Sequence, residues 1–317
     1  MDFSDVPSPP LGPLNPGDVV SAALKLYRDR FKTYLQLSAL ATLWVLAGIV
    51  GMALAIAVLA GGLWAIGGEV LGVVGGFLGM LVGFLPLLYG SAKYTMILSV
   101  IGRLAFRDLI NQPETSLDVR RALTPKLNQF LLLSFLLSLA YSAALMVSLL
   151  VASLAGAGVG VVIGGLLGAF TNSAVGGVVG TILGVLLWIA VFTLGLVWII
   201  SHLLIPDVVL AVEPNQDAGS SLSRSWELTQ TSLGRIQIVL LATFLIQLPV
   251  LSVTNYLPSI FFAFLPDSVT VMAISQGIGF ILSLAGNMLI LPLWQAVKGV
   301  LYYDLRSRRE GLDLELR

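Results

Sequence analysis

Few side chains in this sequence are of types that carry out chemistry. The 317 residues include one histidine, His202, and no cysteine. One histidine cannot supply the paired ligands of an H-E-x-x-H zinc hydrolase. Without cysteine the chain has no thiolate nucleophile, thiolate metal site or disulfide. His202 stands in "WIISHLLIPD", where packing or a hydrogen bond to a carbonyl explains it. We therefore predict no catalytic residue, no metal site and no cofactor.

Ionisable groups deep inside a membrane-spanning segment are usually functional, but this sequence places none there. The carboxylates nearest to the apolar runs stand at the ends of those runs: Glu69, Asp207, Asp267 and Asp304. Proton transfer along buried acids is therefore poorly supported. An intramembrane enzyme ranks third among the functions that we consider.

Three polar residues fall deep within apolar runs, and all three are uncharged. They are Gln247, Gln276 and Asn287. Hydrogen bonds between helices, worth less than ~2 kcal/mol each, account for such residues without a transport function. The alternative is that they line a cavity in the membrane, which would favour a transporter or a lipid-handling protein.

Composition indicates which elements hold these residues. Hydrophobic residues make up 57% of the chain and charged residues 11%, whereas a soluble domain carries about 25% charged residues. A membrane-spanning helix needs about 20 apolar residues. The charge-free runs therefore predict an all-α integral membrane protein with six transmembrane helices. The predicted spans are Leu35–Leu59, Leu71–Ala92, Phe130–Ala155, Val178–Leu204, Ile236–Ala263 and Val269–Trp294.

The distribution of cations predicts how the helices are oriented. All 17 Lys and Arg residues fall in the N-terminal segment, in the second and fourth connections between spans, or in the tail. Basic segments stay in the cytoplasm during insertion. We therefore expect both termini to be cytoplasmic and the protein to be integral to the cytoplasmic (inner) membrane. A thylakoid membrane is the alternative for a cyanobacterial protein.

The cytoplasmic segments have helical periodicity of their own. Apolar residues recur at helical spacing after Asn15 and Pro16, which suit a cap and a first turn, and again around Leu222, Trp226 and Leu233. "SLDVRRALTPKLNQF" is a shorter version, broken by a proline. We expect these amphipathic helices to anchor the following spans; a regulatory lipid sensor is the alternative. The pattern of amphipathic helix plus helical hairpin suggests three degenerate repeats.

Glycine recurs at every fourth residue in two strips. The longer strip occupies positions 156, 160, 164, 168, 176, 180 and 184. The shorter one contains Gly72 and Gly76 and, one register over, Gly75, Gly79 and Gly83. Residues four apart share a helix face, so such strips allow close helix packing in lipid. "FTNSA" (Phe170–Ala174) has the composition of a turn between two such strips. The glycine-rich hairpin 156–184 is expected either to project beyond the bilayer or to fold back into it.

The termini complete the predicted organisation. Residues 1–15, acidic and proline-rich, are expected to form a disordered cytoplasmic arm without a cleaved signal peptide. Residues 16–310 form the six-helix membrane domain, whose last helix is expected to end near Glu310 with Gly311 as a left-handed stop. Residues 311–317 alternate apolar and charged side chains, which predicts an extended tail. We expect this tail to cover the cytoplasmic face; an edge strand offered to a partner is the alternative.

Three stretches together resemble a known family. They are "LNPGDVVSAALKLYRDRFKTYLQLS", "LIPDVVLAVEPNQDAGSSLSRSWELTQTSLGRIQIVLL" and "LYYDLRSRREGLDLELR". In this order they resemble the bacterial glycerophosphoryl diester phosphodiesterase membrane-domain family, six-helix inner-membrane proteins of uncharacterised function. The resemblance implies a six-helix bundle and no established activity. The phosphodiesterase name comes from relatives fused to a separate catalytic barrel, which is not expected in this sequence.

These observations favour a non-enzymatic multi-pass membrane protein that acts as a scaffold, assembly factor or accessory subunit. A transporter or lipid-handling protein is the alternative. The expected partners are the lipid bilayer and either a membrane protein or a second copy of the chain, and no nucleic acid. The candidates for contact with a partner or with lipid are Trp226, Arg224, Arg306, Arg308 and Arg309.

Overall fold

The computed structural model describes residues 13–262, 264 and 268–312. The protein is all-helical, with 91% of residues in helix and no strand in the described part. Most of the arm expected at residues 1–15, Asp267, and residues 313–317 of the expected tail lie outside the described residues. The all-α prediction is therefore confirmed for the described chain.

Ten α-helices follow one another along the described residues. They are α1 (Pro16–Asp29), α2 (Phe31–Leu109), α3 (Ser116–Leu123), α4 (Leu127–Phe170), α5 (Ser173–His202), α6 (Pro206–Val212), α7 (Ala218–Thr229), α8 (Leu233–Leu251), α9 (Leu257–Phe262) and α10 (Val269–Glu310). A 3₁₀ turn (Thr124–Lys126) joins α3 to α4, and a π-helical turn (Ser252–Tyr256) joins α8 to α9.

Five helical stretches are long and apolar enough to cross a membrane. They are Phe31–Leu109, Ser116–Phe170, Ser173–Val212, Leu233–Tyr256 and Val269–Glu310. Large apolar side chains are exposed along these stretches, such as Ile66 and Leu81 on α2. A helix whose outer surface is apolar is compatible with insertion into a membrane.

Helix α2 folds back on itself at Gly67 and Gly68. Gly68 has a φ of 71°, a left-handed conformation that glycine adopts without a steric penalty. The two limbs then pack closely: a Cβ added at Gly79 would lie 2.5 Å from the Cα of Ile56, and one at Gly83 would lie 2.8 Å from the Cα of Met52. The shorter glycine strip therefore serves to bring two limbs of one hairpin into contact.

The longer glycine strip forms a second hairpin. Helix α4 is 44 residues long, about 66 Å at 1.5 Å per residue, and two residues separate it from α5. Asn172 caps α5, since its Oδ1 accepts a 2.8 Å hydrogen bond from the backbone N–H of Val175. A Cβ added at Gly180 would lie 2.6 Å from the Cα of Gly164. Close backbone packing is thus the structural use of the strip.

The chain divides into two compact units. One unit consists of residues 135–204, which form most of the α4–α5 hairpin, and the other contains the rest of the described chain. In the second of these units, the C-terminal parts of α2 and α10 pack against each other and against α6. Every residue of α6 is buried. Gly299 permits this close approach, because a Cβ there would lie 3.0 Å from the Cβ of Ala105.

The predicted end of the last helix is confirmed. Helix α10 runs to Glu310, and Gly311 follows in the left-handed region with a φ of 68°. The predicted start of the first amphipathic helix is also found, since Pro16 occupies its first turn. Asp18 accepts a 3.3 Å hydrogen bond from the backbone N–H of Asn15, which fixes that start.

Candidate functional site

Charged residues of the described chain converge on one region, which we name the polar module. It comprises α1, α3, α6 and α7 together with the C-terminal parts of α2 and α10. The amphipathic helices surround the packed core: α1 contacts α8 and α10, α3 contacts α2, and α7 contacts α6. Ion pairs between these elements hold the module together.

Asp304 is the most deeply buried charge of the polar module. Its side chain has an exposed fraction of 0%, and its Oδ2 lies 2.9 Å from Nε of Arg235 at the start of α8. Arg308 pairs with the same carboxylate at 3.2 Å. The backbone N–H of Leu14 donates a 2.7 Å hydrogen bond to it. One carboxylate therefore ties together α8, α10 and the residues that precede α1.

A second cluster joins α10 to α7 and to the segment after α6. The Tyr302 hydroxyl donates a 2.7 Å hydrogen bond to Oε1 of Glu213. Arg224 contacts both Glu310 and Glu213, while Nε of Arg306 lies 2.8 Å from Oε2 of Glu310. Burial opposes the charge of Arg224, but its hydrogen bonds and attraction to Glu310 and Glu213 outweigh that cost and raise its pKa. Arg224 therefore stays cationic.

A third cluster ties α2 to α6. Arg103 donates two hydrogen bonds to Glu114, of 2.7 and 2.8 Å, and a third of 2.9 Å to the carbonyl of Ala211. Arg107 lies 3.3 Å from the same carboxylate. Burial alone would raise the pKa of Glu114, but the hydrogen bond and charge of Arg103, with the charge of Arg107, lower it below its ordinary value. This bidentate geometry is the stronger form of the Arg–carboxylate contact.

Three cations occupy comparable places along the chain. Each lies just before or at the start of a long apolar helix and reaches either the last turns of the return helix of that hairpin or the segment around α6 that follows it. Arg30 lies 2.6 Å from Asp108, and Arg235 lies 2.9 Å from Asp304. Nζ of Lys126 donates to the carbonyls of Leu210 and Glu213, at 3.1 and 2.9 Å. A cation at the start of each hairpin thus bonds to the chain at or beyond the end of that hairpin, through a carboxylate in two cases and through backbone carbonyls in the third.

An open cleft of about 460 Å³ lies at the edge of the polar module. Arg107, Arg224 and Arg306 line it together with Glu213 and Gln216. Each of these arginines pairs with a glutamate within 4 Å, so the cleft carries little net charge. Among the described residues, no group of three or more His, Asp or Glu side chains has an arrangement that holds a metal ion.

The structure brings the four predicted contact arginines into the polar module. Arg224, Arg306 and Arg308 make the pairs given above, and Arg309 lies 3.5 Å from Glu227 of α7. That last pair joins the end of α10 to an amphipathic helix. Trp226 lies on the outer side of α7 with 37% of its surface exposed. A role for these five residues in binding a partner or lipid stays a prediction.

The three uncharged polar residues of the spans lie at different heights. Gln247 accepts a 2.7 Å hydrogen bond from the indole N–H of Trp294, which joins α8 to α10. Asn287 donates to the carbonyl of Ser283 in its own helix, and Gln276 is exposed. Gln276 lies about 27 Å from Trp294 along α10, from a rise of 1.5 Å per residue. A cavity lined by all three stays a prediction.

His202 packs at the end of α5 that lies away from the turn. It is 3% exposed, and its ring meets the edge of Trp198 at 5.0 Å between centroids. The Tyr141 hydroxyl donates a 2.8 Å hydrogen bond to the nearby carbonyl of Leu203. This environment is the one expected of a packed histidine.

The sequence did not predict α6 or the role of Asp304. The sequence places residues 203–212 at the end of a span and in a connection, yet residues 206–212 form a helix at the buried centre of the polar module. One signal was present: the apolar run after Pro206 is too short to cross a membrane and too apolar for an exposed loop. Asp304 stands among aromatic and aliphatic residues in "LYYDL", which is the pattern of a buried, partnered carboxylate.

The fold and the polar module define an all-helical protein with five long apolar helical stretches, compatible with a membrane protein. Comparison of the chain with family models, with curated proteins and with solved structures finds no match. The resemblance to the phosphodiesterase membrane-domain family therefore rests on the quoted stretches alone.

Proposed function

We propose that the chain is a six-span membrane protein built from three helical hairpins, with the polar module in the cytoplasm. The break at Gly67 and Gly68 supports six spans, because it divides α2 into two limbs that are each long enough to cross a bilayer. The cations support the orientation, since the polar module contains most of them and basic segments stay in the cytoplasm.

Aromatic residues support the same arrangement. Each hairpin has an aromatic contact away from its turn: Lys93 over Trp44 and Tyr89, Trp198 against His202, and Trp294 with Gln247. Along the helices the distances from Trp44 to Gly67, Trp198 to Ser173 and Trp294 to Val269 are about 35, 38 and 38 Å, from 1.5 Å per residue. Each exceeds the ~30 Å hydrocarbon core, as expected if these contacts mark one interface.

The three hairpins are proposed to be degenerate repeats. Each follows a short helix, α1, α3 or α7, that starts at Pro16, Ser116 or Ala218. Each is closed by the cation connection described above. Internal repetition of a helical unit is common among membrane proteins.

We infer that the protein acts as a non-enzymatic scaffold, assembly factor or accessory subunit. The observation that carries this proposal is the solid centre of the polar module, where α6 is buried throughout and Gly299 lies against α2. The charges there are paired with one another and lock elements together. A rigid module of this kind suits a fixed docking platform better than a path for a solute.

A lipid-handling protein remains the second candidate because of one further observation. An open groove of about 600 Å³ runs along the α4–α5 hairpin and is lined by glycines with Thr181 and Trp188. A lipid chain bound there would be lost from a Gly165→Leu, Gly177→Leu variant, since a Cβ added at either glycine projects into open space. Mass spectrometry of the purified protein and its co-purified lipids tests this alternative.

The test of the scaffold proposal is purification from native membranes in a mild detergent, followed by mass spectrometry of the proteins that co-purify. We expect a stoichiometric partner whose recovery falls at least tenfold with Trp226→Ala, because exposed tryptophans frequently carry binding energy. Leu117→Ala is the matched control, since Leu117 is 52% exposed on the corresponding helix α3. Undiminished recovery with Trp226→Ala, or no partner at all, contradicts this assignment.

A further inference from the structure

The cations of the cytoplasmic segments divide into two groups. Several inside the polar module pair with carboxylates of other elements, as Arg235 does with Asp304. Those on the outer side of α1 and at the start of α2 do not. Among the residues that the structure describes, Lys25 and Lys32 form no ion pair, and Arg28 reaches only its neighbour Asp29, at 3.7 Å. The charge of this second group is therefore available to a ligand.

Two of these cations, Lys25 and Arg28, border a groove on α1. The groove measures about 570 Å³ and is lined by Leu24, Lys25, Tyr27, Arg28 and Phe31, with Ser21. Apolar, aromatic and basic side chains thus face one space. Lysine and arginine offer donors to a phosphate, while the apolar side chains suit the part of a lipid just below its headgroup.

The aromatic wall of the groove is held in place. The rings of Tyr27 and Phe31 meet edge to face at 5.4 Å, and the Tyr27 hydroxyl donates a 3.0 Å hydrogen bond to the carbonyl of Leu289 in α10. Burial also raises the pKa of Tyr27, so its hydroxyl keeps the proton that it donates. The groove is therefore fixed against a neighbouring helix.

The position of the groove indicates which class of ligand it binds. Phe31 is the first residue of α2, so the groove opens where the first proposed span begins. A phosphate group at that height belongs to a phospholipid headgroup, and the anionic lipids of a cytoplasmic leaflet attract basic residues beside a membrane helix.

We infer that the groove on α1 binds the headgroup of an anionic phospholipid, with Lys25 and Arg28 on the phosphate and Leu24 and Phe31 against the acyl–glycerol region. This site rests on the proposed membrane location and goes beyond the scaffold function. It uses residues different from Trp226, so the two proposals fail independently.

The experiment is native mass spectrometry of the full-length protein in a non-ionic detergent with added dioleoylphosphatidylglycerol. We expect specific adducts, and much weaker ones with dioleoylphosphatidylcholine. Lys25→Gln and Arg28→Gln should each weaken the apparent affinity about 5-fold, the effect of one basic residue near an anionic surface. Lys25→Arg keeps the charge and should retain binding.

Arg121→Gln is the matched control, because it removes one exposed cation from α3, outside the groove. An equal loss with Arg121→Gln shows diffuse attraction and overturns the site, as does equal binding of the two lipids. Displacement of the lipid by inorganic phosphate alone, at equal concentration, overturns the assignment to a lipid. Unchanged thermal unfolding of the Gln variants confirms that the lost adducts do not reflect misfolding.

Discussion

At the residue scale, the main polar interactions of this protein are ion pairs between carboxylates and arginines. Asp304 accepts from the backbone of Leu14 and pairs with Arg235 and Arg308, which gives a fully buried carboxylate the partners it needs. Removing one partner of a buried pair leaves an uncompensated charge, whereas an exposed pair contributes little. The buried acids of the polar module are therefore the residues on which its stability depends most.

The Glu114 cluster makes this stability depend on pH. The partners of Glu114 lower its pKa in the folded protein. Its contribution to the free energy of unfolding is therefore complete above the pKa of a glutamate in the unfolded chain, ordinarily about 4.3. That contribution is lost as the pH falls through the lower pKa of the folded protein. We expect Glu114→Gln to lower the thermal unfolding temperature at pH 7. The difference from the native chain should shrink as the pH falls below about 4. Thermal scans in detergent across this range measure it.

Asp29→Asn provides the comparison for that experiment. Asp29 contacts Arg28 at 3.7 Å, and both side chains are well exposed. Its removal should change the unfolding temperature little at any pH. A difference between Glu114→Gln and the native chain that stays constant down to pH 3 would contradict the role given to Glu114.

At the element scale, the glycine strips define which helix faces meet. On α5, Gly180 lies against the backbone of α4, whereas a Cβ added at Gly177 meets nothing within 4 Å. Both positions are glycine in the same helix, and only one is required by packing. Comparing the same substitution at the two positions therefore separates the effect of hairpin packing on stability from the effect of glycine's low helix propensity.

Gly180→Ala should destabilise the α4–α5 hairpin by about 1–3 kcal/mol, because the added methyl group overpacks against backbone atoms that cannot rotate away. Gly177→Ala should leave it unchanged or stabilise it by up to about 1 kcal/mol, the difference in helix propensity. Reversible unfolding in mixed detergent measures both. Equal effects of the two substitutions would show that the strip does not pack as described.

The elements also show how far the sequence is informative. Glycines at every fourth position predicted close packing, and the turn composition of Phe170–Ala174 placed the turn, because both signals are local. The buried position of α6 was missed, since its seven residues are surrounded by parts of α2 and α10 that are distant in sequence. The partners of Asp304 were missed for the same reason: Leu14 lies 290 residues away.

At the scale of the whole molecule, the proposed topology is directly testable because the chain contains no cysteine. A single cysteine at Ser173, which is exposed beside the α4–α5 turn, should react with a membrane-impermeant maleimide in intact spheroplasts. A single cysteine at Ser223, exposed on α7, should react only after permeabilisation. The opposite pattern would reverse the orientation, and equal labelling of both sites would contradict a single topology.

Two separate parts of the chain form the unit that contains the polar module, and this has a consequence for biosynthesis. Helix α6 packs against α10 as well as against α2 and α7, and Asp304 holds Leu14 and Arg235 only after nearly the whole chain has been made. Until translation passes that point, the ribosome-bound chain displays an uncovered apolar helix and arginines without acids. Transiently exposed apolar surface is prone to aggregate and is the reason that chaperones exist, so we expect this unit to depend on chaperones until α10 has been made.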